Sequence, residues 1–235
     1  MSIEDSINLD ELVVIGLEPT TWYRFAKLQI DLLRTHVQGL EKQIDESIKA
    51  YEKERIATEV VHYEDEYPVV ILEEHRGIES TPNDLEEIFE YYFPNLQRRS
   101  TLITLFSFLE HQLDQLCELF ASTRQLTIVH TDLKDKGIDR SRRYLIKVVC
   151  LPLDDSSAAW QEIKRIQRVR NIVVHNDAKL VDNEVIKYVD QAKYLSRKSN
   201  WEDKADEVNI LEGYLTHVLD TFDLHCSDLN KVISN

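Results

Sequence analysis

Apolar positions recur at helical spacing along most of the chain. From a cap at Thr20 or Thr21 to about residue 54, Ala26, Ile30, Leu33, Val37, Leu40, Ile44 and Tyr51 follow intervals of 4, 3, 4, 3, 4 and 7. That is close to a heptad seam. It fits a long helix packed on its own domain; the other reading is a coiled coil with a second chain or a hairpin. Leu102, Leu105, Phe106, Leu109, Leu113, Leu116 and Phe120 form one wide stripe and predict a helix over 95–122. Thr81 as cap and Pro82 in the first turn start a shorter helix through DLEEIFEYYF, which Pro94 ends. Further helices are predicted over 138–150, ended by Pro152, and over 158–174, 183–197 and 206–232. Strand is expected only within 57–80, where Pro68 and the run Val69-Val70-Ile71-Leu72 interrupt the pattern and read as a short strand or an extended crossing.

The pattern predicts an all-α fold, a helical bundle with a long N-terminal helix and a short β segment around 57–80. Residues 1–80 form a long helix with an acidic connecting segment, and residues 81–235 form the main helical domain. Composition agrees, with only 5 Gly and 5 Pro among 235 residues. No GxxxxGK[ST], GxGxxG or GxSxG run occurs, which removes phosphate-loop, dinucleotide and nucleophile-elbow chemistry. The 28 basic and 43 acidic residues give a net charge of −15, unsuited to broad duplex binding through many phosphate contacts. Cys117, Cys150 and Cys226 are odd in number and widely spaced, so neither a disulfide framework nor a zinc site is indicated. No apolar run has membrane-spanning length, and the acidic start MSIEDSINLDE lacks a signal-peptide pattern. The expected setting is the cytoplasm.

The segment SSAAWQEIKRIQRVRNIVVHND carries the first anomaly. On a helical wheel with Trp160 at zero, Ile163, Ile166, Val169, Val173 and Val174 spread over roughly 180° to 320°. Arg170 falls at about 280°, within that apolar face, where an unpaired guanidinium is costly. It therefore needs a carboxylate, carbonyl, water or anion beside it. Lys164, Arg168, Asn171 and His175 form a second, polar stripe at i, i+4, i+7 and i+11. Arg170 and His175 stand about 140° apart on a straight helix. They converge on one anion if the helix ends or kinks between them, or if two copies face each other across a two-fold axis.

Arg170-Asn171-Ile172-Val173-Val174-His175 resembles the Arg–four residues–His motif of HEPN domains, with the favoured polar residue directly after the Arg. The WxxIxxIxxVRN approach from Trp160 to Asn171, and the Ser–Phe–Leu–Glu run of the preceding long helix, are similar to the same family. The resemblance covers about residues 82–230. It implies a helical bundle that dimerises so that two motifs form one cleft. Active members are metal-independent RNA endonucleases, often toxins or antiviral effectors; others bind RNA or nucleotides, or serve as regulatory helical modules. One departure stands out: Asp177 occupies the position where the branch paired with a nucleotidyltransferase antitoxin carries a Tyr.

The residues suit that chemistry. Metal-free RNA cleavage needs a base for the ribose 2′-OH proton and an acid for the leaving 5′-oxygen, and His serves both near neutral pH. Arg supplies planar donors for the phosphate. The candidate catalytic residues are Arg170, Asn171 and His175, with Lys164, Arg168 and Asn176 contacting substrate. Glu110, on the flank of the long apolar stripe, is a candidate partner for Arg170. No metal and no cofactor is expected. The expected partners are RNA, a second copy of the chain, and an antitoxin or defence-system protein. Glu59-Val60-Val61-His62 has a metal-ligand spacing in a single copy only, which argues against a metal site; His62, Glu64, Asp65 and Glu66, with Glu73, Glu74 and His75, read as an acidic loop rather than a cation site. Tyr91-Tyr92 reads as core packing.

Overall fold

The computed structural model of the chain describes residues 18–60, 70–80, 84–199 and 206–234. It is mostly helical, with two small antiparallel sheets. The helices are α1 (Pro19–Glu54), α2 (Phe93–Thr123), α3 (Gly137–Lys147), α4 (Ala158–His175), α5 (Asn183–Gln191) and α6 (Tyr214–Ser234). The first sheet orders β1 (Ile56–Val60), β2 (Val70–His75) and β3 (Ile78–Glu79); the second pairs β4 (Leu195–Ser199) with β5 (Asp206–Ile210). None of these helices is long and apolar enough to cross a membrane. The Thr81-Pro82 helix start and His62, Glu64, Asp65 and Glu66 lie outside the described residues, whereas Glu73, Glu74 and His75, expected in an acidic loop, stand in strand β2 with His75 buried.

Two compact units divide the chain, and both are discontinuous in sequence. One comprises residues 1–34, 103–170 and 216–235; the other comprises 35–102 and 171–215. In the first unit, Trp22, Ala26 and Ile30 of α1 are buried, as are Leu105, Phe106, Leu109 and Leu113 of α2. Ile163, Ile166 and Val169 of α4, with Val218, Leu219 and Phe222 of α6, complete that core. Trp22 Nε1 donates to the Gln112 carbonyl at 3.1 Å, so the buried indole N–H is satisfied. In the second unit, Tyr51 stacks on Phe89 with ring centres 5.2 Å apart, and His75 meets both rings edge-on. Arg98 grips Glu41 through Nε and Nη2 at 2.6–3.1 Å. The α1 seam is thus used within the chain, with Ala26, Ile30, Val37, Ile44 and Tyr51 all buried.

Three expectations need correction. Residues 195–210 form a β-hairpin where the ends of two helices were predicted, with Leu195 opposite Ile210 and Ser199 opposite Asp206. Leu195, Val208 and Ile210 point inward at strand spacing. Strand therefore occurs outside 57–80. Within 57–80 the hairpin β2–β3 closes on Arg76 (φ 51°) and Gly77 (φ 79°). Positive φ at both central positions gives the strand twist of a tight hairpin, and only Gly takes it without strain. Finally, Pro94 does not end a helix. Residues 87–92 form a π-helical turn in which Phe93 N–H donates to the Ile88 carbonyl five residues back. The widened turn accommodates the proline ring that would strike a regular helix, and the helix runs on as α2.

Candidate functional site

α4 places the motif residues. Its first turn is closed by Gln161 N–H donating to the Ser157 carbonyl at 3.0 Å, and it stops sharply downstream, where Asp177 (φ 49°) and Ala178 (φ 64°) turn left-handed directly after Asn176. The helix is regular through His175, and Asn176 N–H still bonds the Ile172 carbonyl at 2.9 Å. Arg170 and His175 both lie on the one continuous helix Ala158–His175. His175 is exposed on the last turn. In that turn Ile172 is buried and Val174 is 43 % exposed, which corrects the placing of Val174 on the apolar face. The last five residues of α4 belong to the second unit, and there Ile172 provides the packing.

Arg170 sits in the first unit with a carboxylate and an aromatic ring. Nη2 stands 3.5 Å from Glu110 Oε2, and the guanidinium carbon is 5.4 Å from the Phe106 ring centre. The contact with Glu110 is long beside the grip of Arg98 on Glu41. Burial pushes the Glu110 carboxyl above its ordinary value and Asp114 adds to the rise, while Arg170 and Arg140 oppose it.

The polar stripe is less uniform than its spacing suggests. Lys164 Nζ holds both oxygens of Asp139 at 2.7 Å and also reaches the Gln167 side chain, so it is engaged in an ion pair. Arg168 is exposed, whereas Asn171 and Asn176 are half-buried. Asp114, one turn beyond Glu110, collects Arg140 at 3.1 Å, the Ser141 hydroxyl and His130 at 3.5 Å. That polar network fixes the start of α3 against α2. Among the described residues no three His, Cys, Asp or Glu side chains gather as metal ligands would.

A cleft of about 340 Å³ in the second unit went unread in the sequence. Tyr91 and Tyr92 of the π-helical turn border it, and they are 43 % and 56 % exposed, not core residues as expected. Asp177, two residues past His175, lines it as well. The one available sequence signal was a Tyr-Tyr pair just ahead of a proline. No protein-family model, curated protein or solved structure matches the chain.

Proposed function

We propose that the chain is a metal-independent endoribonuclease of the HEPN type, working in the cytoplasm as a toxin or antiviral effector. The observation that carries this reading is the exposed His175 on the last turn of α4, five residues after an Arg170 already set in an anion-compatible position. His175 takes the proton of a ribose 2′-OH, whose oxygen attacks the adjacent phosphorus. The bond from phosphorus to the 5′-oxygen breaks, and that oxygen is protonated by a second imidazole. The products carry a 2′,3′-cyclic phosphate and a 5′-hydroxyl. Arg170 stabilises the charge that builds on the phosphate, and Asn171 positions either partner. Because Arg170 and His175 diverge by about 140° on one helix, the second imidazole and a converging guanidinium come from a second copy of the chain. An exposed apolar stripe on α1, made by Phe25, Leu28 and Leu32, supports a surface for self-association.

Two observations favour a second reading, a non-catalytic RNA- or nucleotide-binding or regulatory module. Lys164 and Arg170 are both matched by carboxylates, and the chain carries a charge of −15. The test is incubation of the purified protein with total RNA and tRNA in EDTA, beside a His175→Ala control and single-stranded DNA. Cleavage of RNA alone, with cyclic phosphate ends and none from the variant, is expected. Equal cleavage by His175→Ala, or loss of cleavage with chelator, overturns the mechanism in favour of the binding module.

A further inference from the structure

The cleft beside the end of α4 is built wholly from the second unit. Its volume of about 340 Å³ lies toward the small end of ligand sites. One wall is the π-helical turn, a distortion that recurs at functional sites and here leaves Tyr91 and Tyr92 outside the core. The Lys198 ammonium covers the Tyr91 ring at 3.5 Å from its centre and pairs with Glu87. Arg99 Nη2 donates to Glu207 Oε2 and to the Val208 carbonyl, each at 3.0 Å. Arg99 Nε is buried with no hydrogen-bond partner among the described residues. Asp177 lines the same cleft and makes no hydrogen bond or ion pair among the described residues.

The charges decide what fits. Among the described residues lining the cleft, Lys198 offsets Glu87 and Arg99 offsets Glu207, which leaves the Asp177 carboxylate as a net negative charge. A phosphate is disfavoured there. A flat, neutral ligand with N–H donors on one edge and an acceptor next to them is favoured. Among nucleobases only guanine presents two adjacent donors, N1–H and the N2 amino group, matched to the two oxygens of one carboxylate. Its O6 acceptor lies on the same edge, where a guanidinium can donate. Adenine and cytosine offer one donor group beside a ring acceptor, and uracil offers one donor between two acceptors. An exposed tyrosine supplies a stacking surface for any base.

We propose that this cleft binds a guanine base, with Asp177 reading N1–H and N2–H and Tyr92 stacking on the ring. In its bearing on RNA cutting the inference rests on the nuclease reading, since Asp177 follows His175 by two residues and would set a guanine beside the cut. Nucleoside binding itself is independent of that reading. The experiment is calorimetric titration of the full chain with guanosine, inosine, adenosine and cytidine, none of which carries a phosphate. Guanosine should bind roughly ten- to a hundredfold more tightly than adenosine, with inosine, which lacks the N2 amino group, between them. Asp177→Asn should remove most of the guanosine preference; Asn accepts the left-handed φ at that position, so the fold is kept. Tyr92→Ala should weaken guanosine and adenosine alike. Equal affinity across the four nucleosides, no binding, or an unchanged guanosine affinity in Asp177→Asn overturns the proposal. Guanosine binding without RNA cleavage leaves the cleft standing and removes the nuclease; cleavage without guanosine preference does the reverse.

Discussion

A Cβ atom at Gly137 would lie 2.6 Å from Oε1 of Glu110. The first residue of α3 therefore meets, without a side chain of its own, the carboxylate that accompanies Arg170. Its φ of +54° also lies where L side chains are strained. Gly137→Ala should lower stability by about 1–2 kcal/mol, and Glu110, the flexible partner, should swing away from Arg170. Thermal melts followed by circular dichroism measure the first effect. A double-mutant cycle with Glu110→Gln measures the second, and additive losses would disconnect the two positions.

Arg170 and His175 should separate by stability. The Arg170 and Glu110 side chains are 20 % and 26 % exposed. Removing the guanidinium strands a half-buried carboxylate, and solvent limits the loss to about 1–2 kcal/mol. His175 is exposed, and His175→Ala should change stability by less than about 0.5 kcal/mol. Both variants should lose RNA cleavage, the His175 variant by about 10²–10⁴ in rate. A more stable Arg170→Ala than His175→Ala protein would contradict the placing of these side chains.

His225 gives a pH dependence of known sign. It is buried in α6, with its ring 5.5 Å from the Trp160 ring centre. Burial, with Arg142 adding to it, pushes its pKa down to about 4 from an ordinary 6.5. The unfolded chain takes up a proton at a higher pH than the fold does, so this stability is present above about 6.5 and is lost as pH falls toward about 4. Full loss amounts to about 3 kcal/mol. Between pH 6.5 and 5, melts of His225→Phe should fall less steeply than those of the native chain. Parallel slopes would remove His225 as the cause.

Arg98 should not tolerate Lys. Its fork holds Glu41 and also reaches the Ile210 carbonyl at 3.3 Å, and the Arg98 and Glu41 side chains are 13 % and 14 % exposed. A lysine keeps the charge but not the planar pair of donors. Arg98→Lys should cost about 1–2 kcal/mol in chemical denaturation, and a neutral result would show that charge alone suffices.

The helices were legible because period 3.6 and caps are local. Ala26, Ile30, Leu105, Phe106 and Ile163 are buried where the spacing put them. The Arg170 contact with Glu110 was partly legible for a related reason, since a cation on an apolar face needs a carboxylate, carbonyl, water or anion beside it and Glu110 flanks the long apolar stripe. The β4–β5 hairpin was not legible: its inward residues Leu195, Val208 and Ile210 are few, and the charged residues between them also suit a helix surface. The guanine cleft was invisible because Tyr92, Arg99 and Asp177 are joined only by folding, and because Pro94 read as a stop conceals the widened turn.

That widened turn makes chain length a variable in its own right. Deleting one residue within 87–92 would remove the widening that makes room for the Pro94 ring, so the backbone would have to kink there and everything before it would rotate by about 100°. Arg98 and Arg99, downstream, would stay where Glu41 and Glu207 hold them. The tyrosines would leave the rim while the floor of the cleft kept its shape. Here the loss of a single codon displaces one wall of the cleft as a unit, where a substitution at Tyr91 or Tyr92 changes one side chain at a time.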